Sequence, residues 1–166
     1  MRCHHTSVGA VSTTAMMPLG RSPVSPWWIM NLMPHITIEF SANTCSTMGG
    51  PTDIDGLVDA VHDAAINSGL APVDALRTRA VGRNHVAIAD RHPDNRFIAV
   101  IARIGPGRSD EEKKQLADVL IDAVEDFIGP EATSTTMLSS EVQEIDAAFR
   151  VNRNGVRDRM AERSGG

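Results

Sequence analysis

The run Met33-Pro34-His35 leads directly into the alternation Ile36-Thr37-Ile38-Glu39-Phe40. A chain whose first residue is Pro34 carries a secondary amine there. An α-amino group titrates at roughly 7.7–8.0 before its surroundings act on it, so such an amine suits a general base near neutral pH. A chain that begins at Met1 instead ties the same nitrogen into a tertiary amide with no basic lone pair. The boundary at Met33 therefore separates an enzyme from a non-catalytic domain. Arginines supply the second chemical element. Arg108 follows Gly105-Pro106-Gly107 and precedes a helix start, a position suited to holding an anion. A guanidinium also grips a carboxylate through two parallel bonds, which a lysine ammonium cannot do. Arg77 opens a further extended stretch, and Arg79, Arg83, Arg91, Arg96 and Arg103 compete with it for the same role.

Other reactive side chains point to less. The chain has no Tyr to serve as acid or base, and its two cysteines, Cys3 and Cys45, form no CxxC pair. Incidental reduced thiols in a cytoplasmic protein are the simplest reading. Polar loop residues follow Cys45 with no base beside it in sequence, which argues against a thiol nucleophile. Cys3-His4-His5 resembles a metal-binding run but is too short to form a site. His85 and His92 have no ligand partners at metal spacing, His62 reads as a helix-face residue, and Glu39 and Glu141 as structural or interface residues. His35, on the polar side of the first alternating run, is a candidate for touching substrate. No metal and no cofactor is expected.

The elements that must position these residues begin after a change in composition. The chain has 166 residues, enough for one compact domain. Residues 1–32 contain no Asp or Glu, three prolines, and no helical or strand periodicity. All 21 acidic residues and 14 of the 16 basic ones lie beyond them, leaving that part at −7 within a total of −5. We read 1–32 as a disordered leader created by a start assigned too far upstream, and 33–166 as the domain. A true disordered extension and a targeting peptide are the alternatives, although Val8–Leu19 is too broken by polar residues and proline for a secretory signal. The acidic balance argues against nucleic-acid binding, and no stretch approaches the ~20 apolar residues of a membrane span.

Within the domain, His35–Phe40 alternates with period two and reads as a half-buried strand. Ile54, Leu57, Val58, Val61 and Ala65 follow at helical spacing, with Thr52-x-x-Asp55 as a candidate capping box and Gly69 as a stop. An extended stretch runs through Leu76–Val81. The pattern then repeats. Phe97–Ile104 is a nearly continuous apolar strand, Ser109-x-x-Glu112 is a capping box, and Leu116, Val119, Leu120, Ala123, Val124 and Phe127 form one helical stripe. Gly129-Pro130 ends that helix, and Thr135–Val142 can be a strand. The expected fold is α+β, β-α-β-β-α-β, with two β-α-β units whose helices cover one face of a shared sheet. The other face needs a cover as well, which predicts a homo-oligomer.

Four segments, in order, resemble the 5-carboxymethyl-2-hydroxymuconate Δ-isomerase family of the tautomerase superfamily: Met33–Glu39, Leu76-Arg77-Thr78-Arg79-Ala80, Ile104–Ser109, and Leu138–Ile145 with Asn154-Gly155-Val156. The similarity spans Met33 to about Met160. The resemblance implies a tautomerase-like fold, a homotrimer, and cofactor-free proton transfer by an N-terminal proline during homoprotocatechuate and 4-hydroxyphenylacetate breakdown. By position, Pro34 matches the catalytic proline, and Arg77 and Arg108 match arginines that bind substrate carboxylates. The chain departs from the family at Val81, Gly82 and Val86, where relatives carry aromatic residues, so its pocket has its own shape.

The chemistry suits these residues. Ketonising a dienol takes one proton from oxygen and places one on carbon, so one base that accepts and returns a proton is sufficient. Burial and a neighbouring guanidinium both lower an amine's pKa towards neutrality. The expectation is an isomerase for a dienol carrying several carboxylates. Its rivals are a non-catalytic, oligomeric, small-acid-binding domain with the leader retained, and a tautomerase for another enol such as phenylpyruvate.

Overall fold

A computed structural model describes residues 34–164. The leader, with Cys3-His4-His5 and Met33, lies outside the described residues. Four strands form one mixed sheet in the order β2-β1-β3-β4: β1 is His35–Ser41, β2 Arg77–Arg83, β3 Arg96–Ile104 and β4 Thr136–Glu144. β1 runs parallel to β2, β3 runs parallel to β4, and β1 meets β3 antiparallel. Each parallel pair is joined by a crossover helix, α1 (Ile54–Asn67) or α2 (Asp110–Thr133). A third helix, α3 (Gly155–Ser164), closes the described part. The two expected β-α-β units are present.

Alternation along the strands decides which face is covered. Ile36, Ile38 and Phe40 of β1 and Ile98, Val100, Ala102 and Ile104 of β3 are buried, and they form one core with Leu57, Val61 and Ala65 of α1 and Leu116, Leu120 and Val124 of α2. Both helices therefore lie on one face of the sheet. Fully burying one such Leu or Ile side chain stabilises the fold by about 1.5–3 kcal/mol. The opposite face shows the other half of each strand, including Thr37, Ala99, Ile101 and the exposed Met137.

The helix ends follow local chemistry, with one departure from the sequence reading at the start of α1. Ser109 caps α2 by accepting from the Glu112 N–H, while the Glu112 side chain accepts from the Ser109 N–H, so this capping box is present. At α1 the cap is Asp53, whose carboxylate accepts from the Asp55 N–H; Thr52 is buried in a bridge with Cys45 instead. Gly129 ends the long first part of α2, as the sequence suggests, and a short second helical segment follows it directly. The Gly129 φ of 74° leaves the helical region, and Pro130 then starts a final turn, where its missing N–H costs nothing.

The segment after β4 is held from a distance. The Asn154 side chain donates to the Asp74 carbonyl at 2.7 Å, and Arg157 forms an ion pair with the Asp74 carboxylate. No helix among the described residues is long and apolar enough to cross a membrane.

Candidate functional site

The topology brings one set of chain ends together. The starts of β1 and β2, the end of β3, the end of α1 and the start of α2 all lie at one end of the sheet, because β3 runs against β1 and each helix runs back along its strands. Three of the four candidate residues sit on the strand starts here, and the fourth on the turn into α2.

Pro34 stands immediately before β1, the second strand of the sheet and one paired on both sides. Its side chain is fully buried. Its carbonyl accepts a hydrogen bond from the Arg77 N–H at 3.4 Å. Strand alternation puts Pro34 with Ile36 on the helix-covered side, whereas His35 turns to the helix-free side.

His35 is the register partner of Arg77 on one neighbour and of Arg103 on the other. A guanidinium nitrogen of Arg77 contacts His35 Nε2. Partial burial holds the His35 pKa down at about 4, and the positive charges of Arg77, Arg150, Arg79 and Arg103 push it the same way. The imidazole is thus neutral at ordinary pH and can accept from Arg77.

Arg108 lies on the turn between β3 and α2. Gly107, with φ of 108°, adopts a conformation that only glycine enters freely. The turn folds Arg108 inward, so it is 9% exposed. One guanidinium nitrogen, Nη2, donates to the Leu70 carbonyl in the connection from α1 to β2. The other, Nη1, is buried without a hydrogen-bond partner. Burial lowers the Arg108 pKa from its ordinary value, and Glu112 opposes that shift. A buried cationic N–H left unmatched is costly, and a carboxylate would satisfy it. The adjacent α2 N-terminus adds its own partial positive charge.

The structure thus joins His35 directly to Arg77 and ties Pro34 to Arg77 through the backbone. Arg108 stays on the helix side, reaching the other end of the 70–77 connection. Sequence reasoning had set Arg103 aside as a competitor and did not weigh Arg150. The signal for Arg103 is the register between antiparallel strands, which strand patterning alone does not fix. At Gly82, one of the departures from the family pattern, a Cβ would lie 3.3 Å from Phe40 Cζ. The Phe40 ring already occupies that space.

A cleft of about 560 Å³ opens at the far end of the sheet, lined by Asp94, Arg96, Glu131 and Thr135 among others. Two acids in its wall make it a poor carboxylate site. Among the described residues no group of His, Cys, Asp and Glu is arranged to hold a metal ion.

Comparisons with known proteins agree with this geometry. The sequence model of the 5-carboxymethyl-2-hydroxymuconate isomerase family matches residues 34–160. The 5-carboxymethyl-2-hydroxymuconate Delta-isomerase of Escherichia coli is 26% identical over 125 residues, covering 75% of this chain and 96% of that protein. A solved 5-carboxymethyl-2-hydroxymuconate isomerase from Deinococcus radiodurans R1 superposes with a TM-score of 0.69 at 28% identity, covering 78% of this chain and 96% of that one. A fused 4-OT protein, described as a symmetric trimer, shares the fold with a TM-score of 0.57 at 20% identity over 73% of this chain and 93% of its own.

Proposed function

Because the chain belongs to the 5-carboxymethyl-2-hydroxymuconate isomerase family and is an isomerase that shifts a C=C bond, we propose that Pro34, freed at its nitrogen, ketonises a dienol bearing several carboxylates. The substrate is 5-carboxymethyl-2-hydroxymuconate or a close analogue from homoprotocatechuate breakdown. The Pro34 amine takes the proton from the enol oxygen, electrons shift along the conjugated system, and the resulting ammonium returns a proton to carbon. Burial disfavours the ammonium form and so makes the amine a base that can be reset near neutral pH.

Arg108 binds a substrate carboxylate through its unmatched Nη1, the observation that carries this reading. Arg77, oriented by neutral His35, stabilises charge developing at the ketonising oxygen. The domain is the part from 33 onward, and residues 1–32 are absent from the active form. The helix-free face, with its half-buried apolar strand residues, supports assembly as a homotrimer, the state named for the fused 4-OT relative.

The test compares two purified chains in a spectrophotometric ketonisation assay of 5-carboxymethyl-2-hydroxymuconate. One is the full chain. The other begins at Pro34, with removal of Met33 verified by intact mass. Activity confined to the second supports the proline mechanism. Equal activity in both, with the leader still attached, removes Pro34 as the base. Activity in neither, with carboxylate binding retained, favours the non-catalytic small-acid-binding domain; turnover of phenylpyruvate instead would move the substrate assignment.

A further inference from the structure

The segment that leaves β4 crosses the whole Pro34 end of the sheet. β4 is the edge strand on one side and β2 the edge strand on the other. Just beyond β4, the Ile145 N–H donates to the Ile104 carbonyl at the end of β3, at 2.8 Å. Farther on, Asn154 and Arg157 are anchored on Asp74, just ahead of β2. Between these anchors Arg150 comes near enough to His35, at the start of β1, for its charge to bear on that imidazole. The path covers three inter-strand spacings, roughly 14 Å, well within the reach of the chain between its two anchors.

Asn154 uses both ends of its side-chain amide. Its oxygen accepts from the Arg157 N–H at 3.2 Å, which caps α3, and its nitrogen donates to the Asp74 carbonyl at 2.7 Å. Arg157, in the first turn of α3, pairs with the Asp74 carboxylate. Asp74 belongs to the connection from α1 to β2, and that connection meets the site at both of its ends. Leu70, near its start, gives its carbonyl to Arg108 Nη2, and Arg77, just past its end, gives its N–H to the Pro34 carbonyl. In between, the Pro72 carbonyl accepts from the Ala75 and Leu76 N–H groups, and Ala71 and Ala75 are buried. Alanine side chains bury little area, so packing alone grips this turn weakly. A guanidinium is planar and rigid, so the group that holds Nη2 also sets the direction of the unmatched Nη1.

We propose that Asn154 and Arg157 are positioning residues for the isomerase: by fixing Asp74 they fix the Leu70 carbonyl, which sets where the Arg108 guanidinium points. This rests on the proposed function and deepens it, by naming what holds the Arg108 carboxylate subsite in place. α3 itself touches no substrate. Its contribution is to keep the guanidinium from drifting, and a displacement of about 1 Å in such a group can cost about a hundredfold in rate.

The test is a double-mutant cycle read by kinetics and by amide hydrogen exchange. Asn154→Asp keeps the cap of α3, since Asp caps a helix as well as Asn does, but it sets an oxygen in place of the donor against the Asp74 carbonyl. Arg157→Gln removes the ion pair. In each variant the amides of residues 75–77 should exchange about tenfold faster or more, while those of Ile98 and Val100 in β3 keep the parent rate. In the form that ketonises the dienol, kcat/KM should fall about tenfold, and Arg157→Lys, which retains the charge, should recover most of it. On an Arg108→Ala background, Asn154→Asp should change kcat/KM by less than about twofold, because the group it positions is gone. A role in stability alone would speed exchange in β3 as well and would add in full to Arg108→Ala; either result overturns the inference. So does unchanged exchange at residues 75–77, or unchanged kcat/KM, in both variants. Exchange is measured on the full chain and needs no turnover. Failure of every form to ketonise therefore sinks the isomerase reading, and exchange alone then decides whether the tie orders the connection.

Discussion

The two β-α-β halves follow one plan, and their corresponding ends have different fates. In the first half the strand-start pair is His35 and Arg77; in the second it is Arg96 and Thr136. Because the halves run antiparallel, these pairs lie at opposite ends of the sheet. At the far end the fold consumes its own cation. Arg96 Nε donates to the Asn43 carbonyl, and Nη1 donates to the Asp94 carbonyl and the Thr135 hydroxyl. At the Pro34 end the Arg77 side chain, among the described residues, contacts a neutral imidazole, and Arg108 keeps a buried nitrogen unmatched. The same architecture therefore satisfies the guanidinium at one end internally and leaves a guanidinium nitrogen unmatched at the other, the end to which the proposed function assigns the substrate.

This contrast can be broken by exchanging damage between the ends. Arg108→Ala should cost the most, lowering kcat/KM for the dienol by about a hundredfold, the scale of a lost charge-assisted contact in a buried site. Steady-state kinetics measure it, and near-normal values would remove Arg108 from the mechanism. Arg96→Ala should have the complementary signature. Stability falls by about 1–2 kcal/mol as three bonds are lost and carbonyls are left unmatched, while kcat/KM stays within about twofold of the parent. Urea unfolding and kinetics on one preparation check both halves of that statement; a catalytic collapse without unfolding would erase the distinction between the ends.

A further effect is one of pH. His35 is held neutral in the fold with its pKa at about 4, against an ordinary value of 6.5. Between those values the unfolded chain binds a proton that the folded chain refuses, so stability falls as pH drops from about 6.5 to about 4 and this contribution levels off below. His35→Gln should flatten that part of the profile in urea unfolding from pH 4 to 7. A variant profile parallel to the parent's would show that the fold does not lower the His35 pKa.

Much of this architecture was readable from residue patterns because each piece is locally determined. The alternation in His35–Phe40, the helical stripe from Leu116 to Phe127 and the Ser109–Glu112 cap each specify an element from neighbours alone. The failures lie where distant partners decide. Thr52 reads as a helix cap by local rules, yet it bridges Cys45, and Asp53 caps α1 instead. The segment after β4 is polar and exposed, with Phe149 at 88%, so no core pattern announces α3; its tie is to Asp74, eighty residues away. At the site, Pro34 and Arg108 stand out by their neighbours in sequence. That Arg77 and Arg103 flank His35 follows only from register, which joins β1 to two strands at once.

Chain ends ordinarily fray, and a reactive group placed on one pays for being ordered each time it works. Here the strand that follows Pro34 is bonded to a neighbour on each side, and Ile36 and Ile38 within it are fully inaccessible. On the proposed reading, in which the active chain starts at Pro34, its terminus is among the last parts to open. Amide hydrogen exchange at Ile36 and Ile38 would then track global unfolding rather than local fraying. For the proposed mechanism this means that the Pro34 nitrogen is held in place before substrate arrives, so little of the binding energy is spent on ordering it.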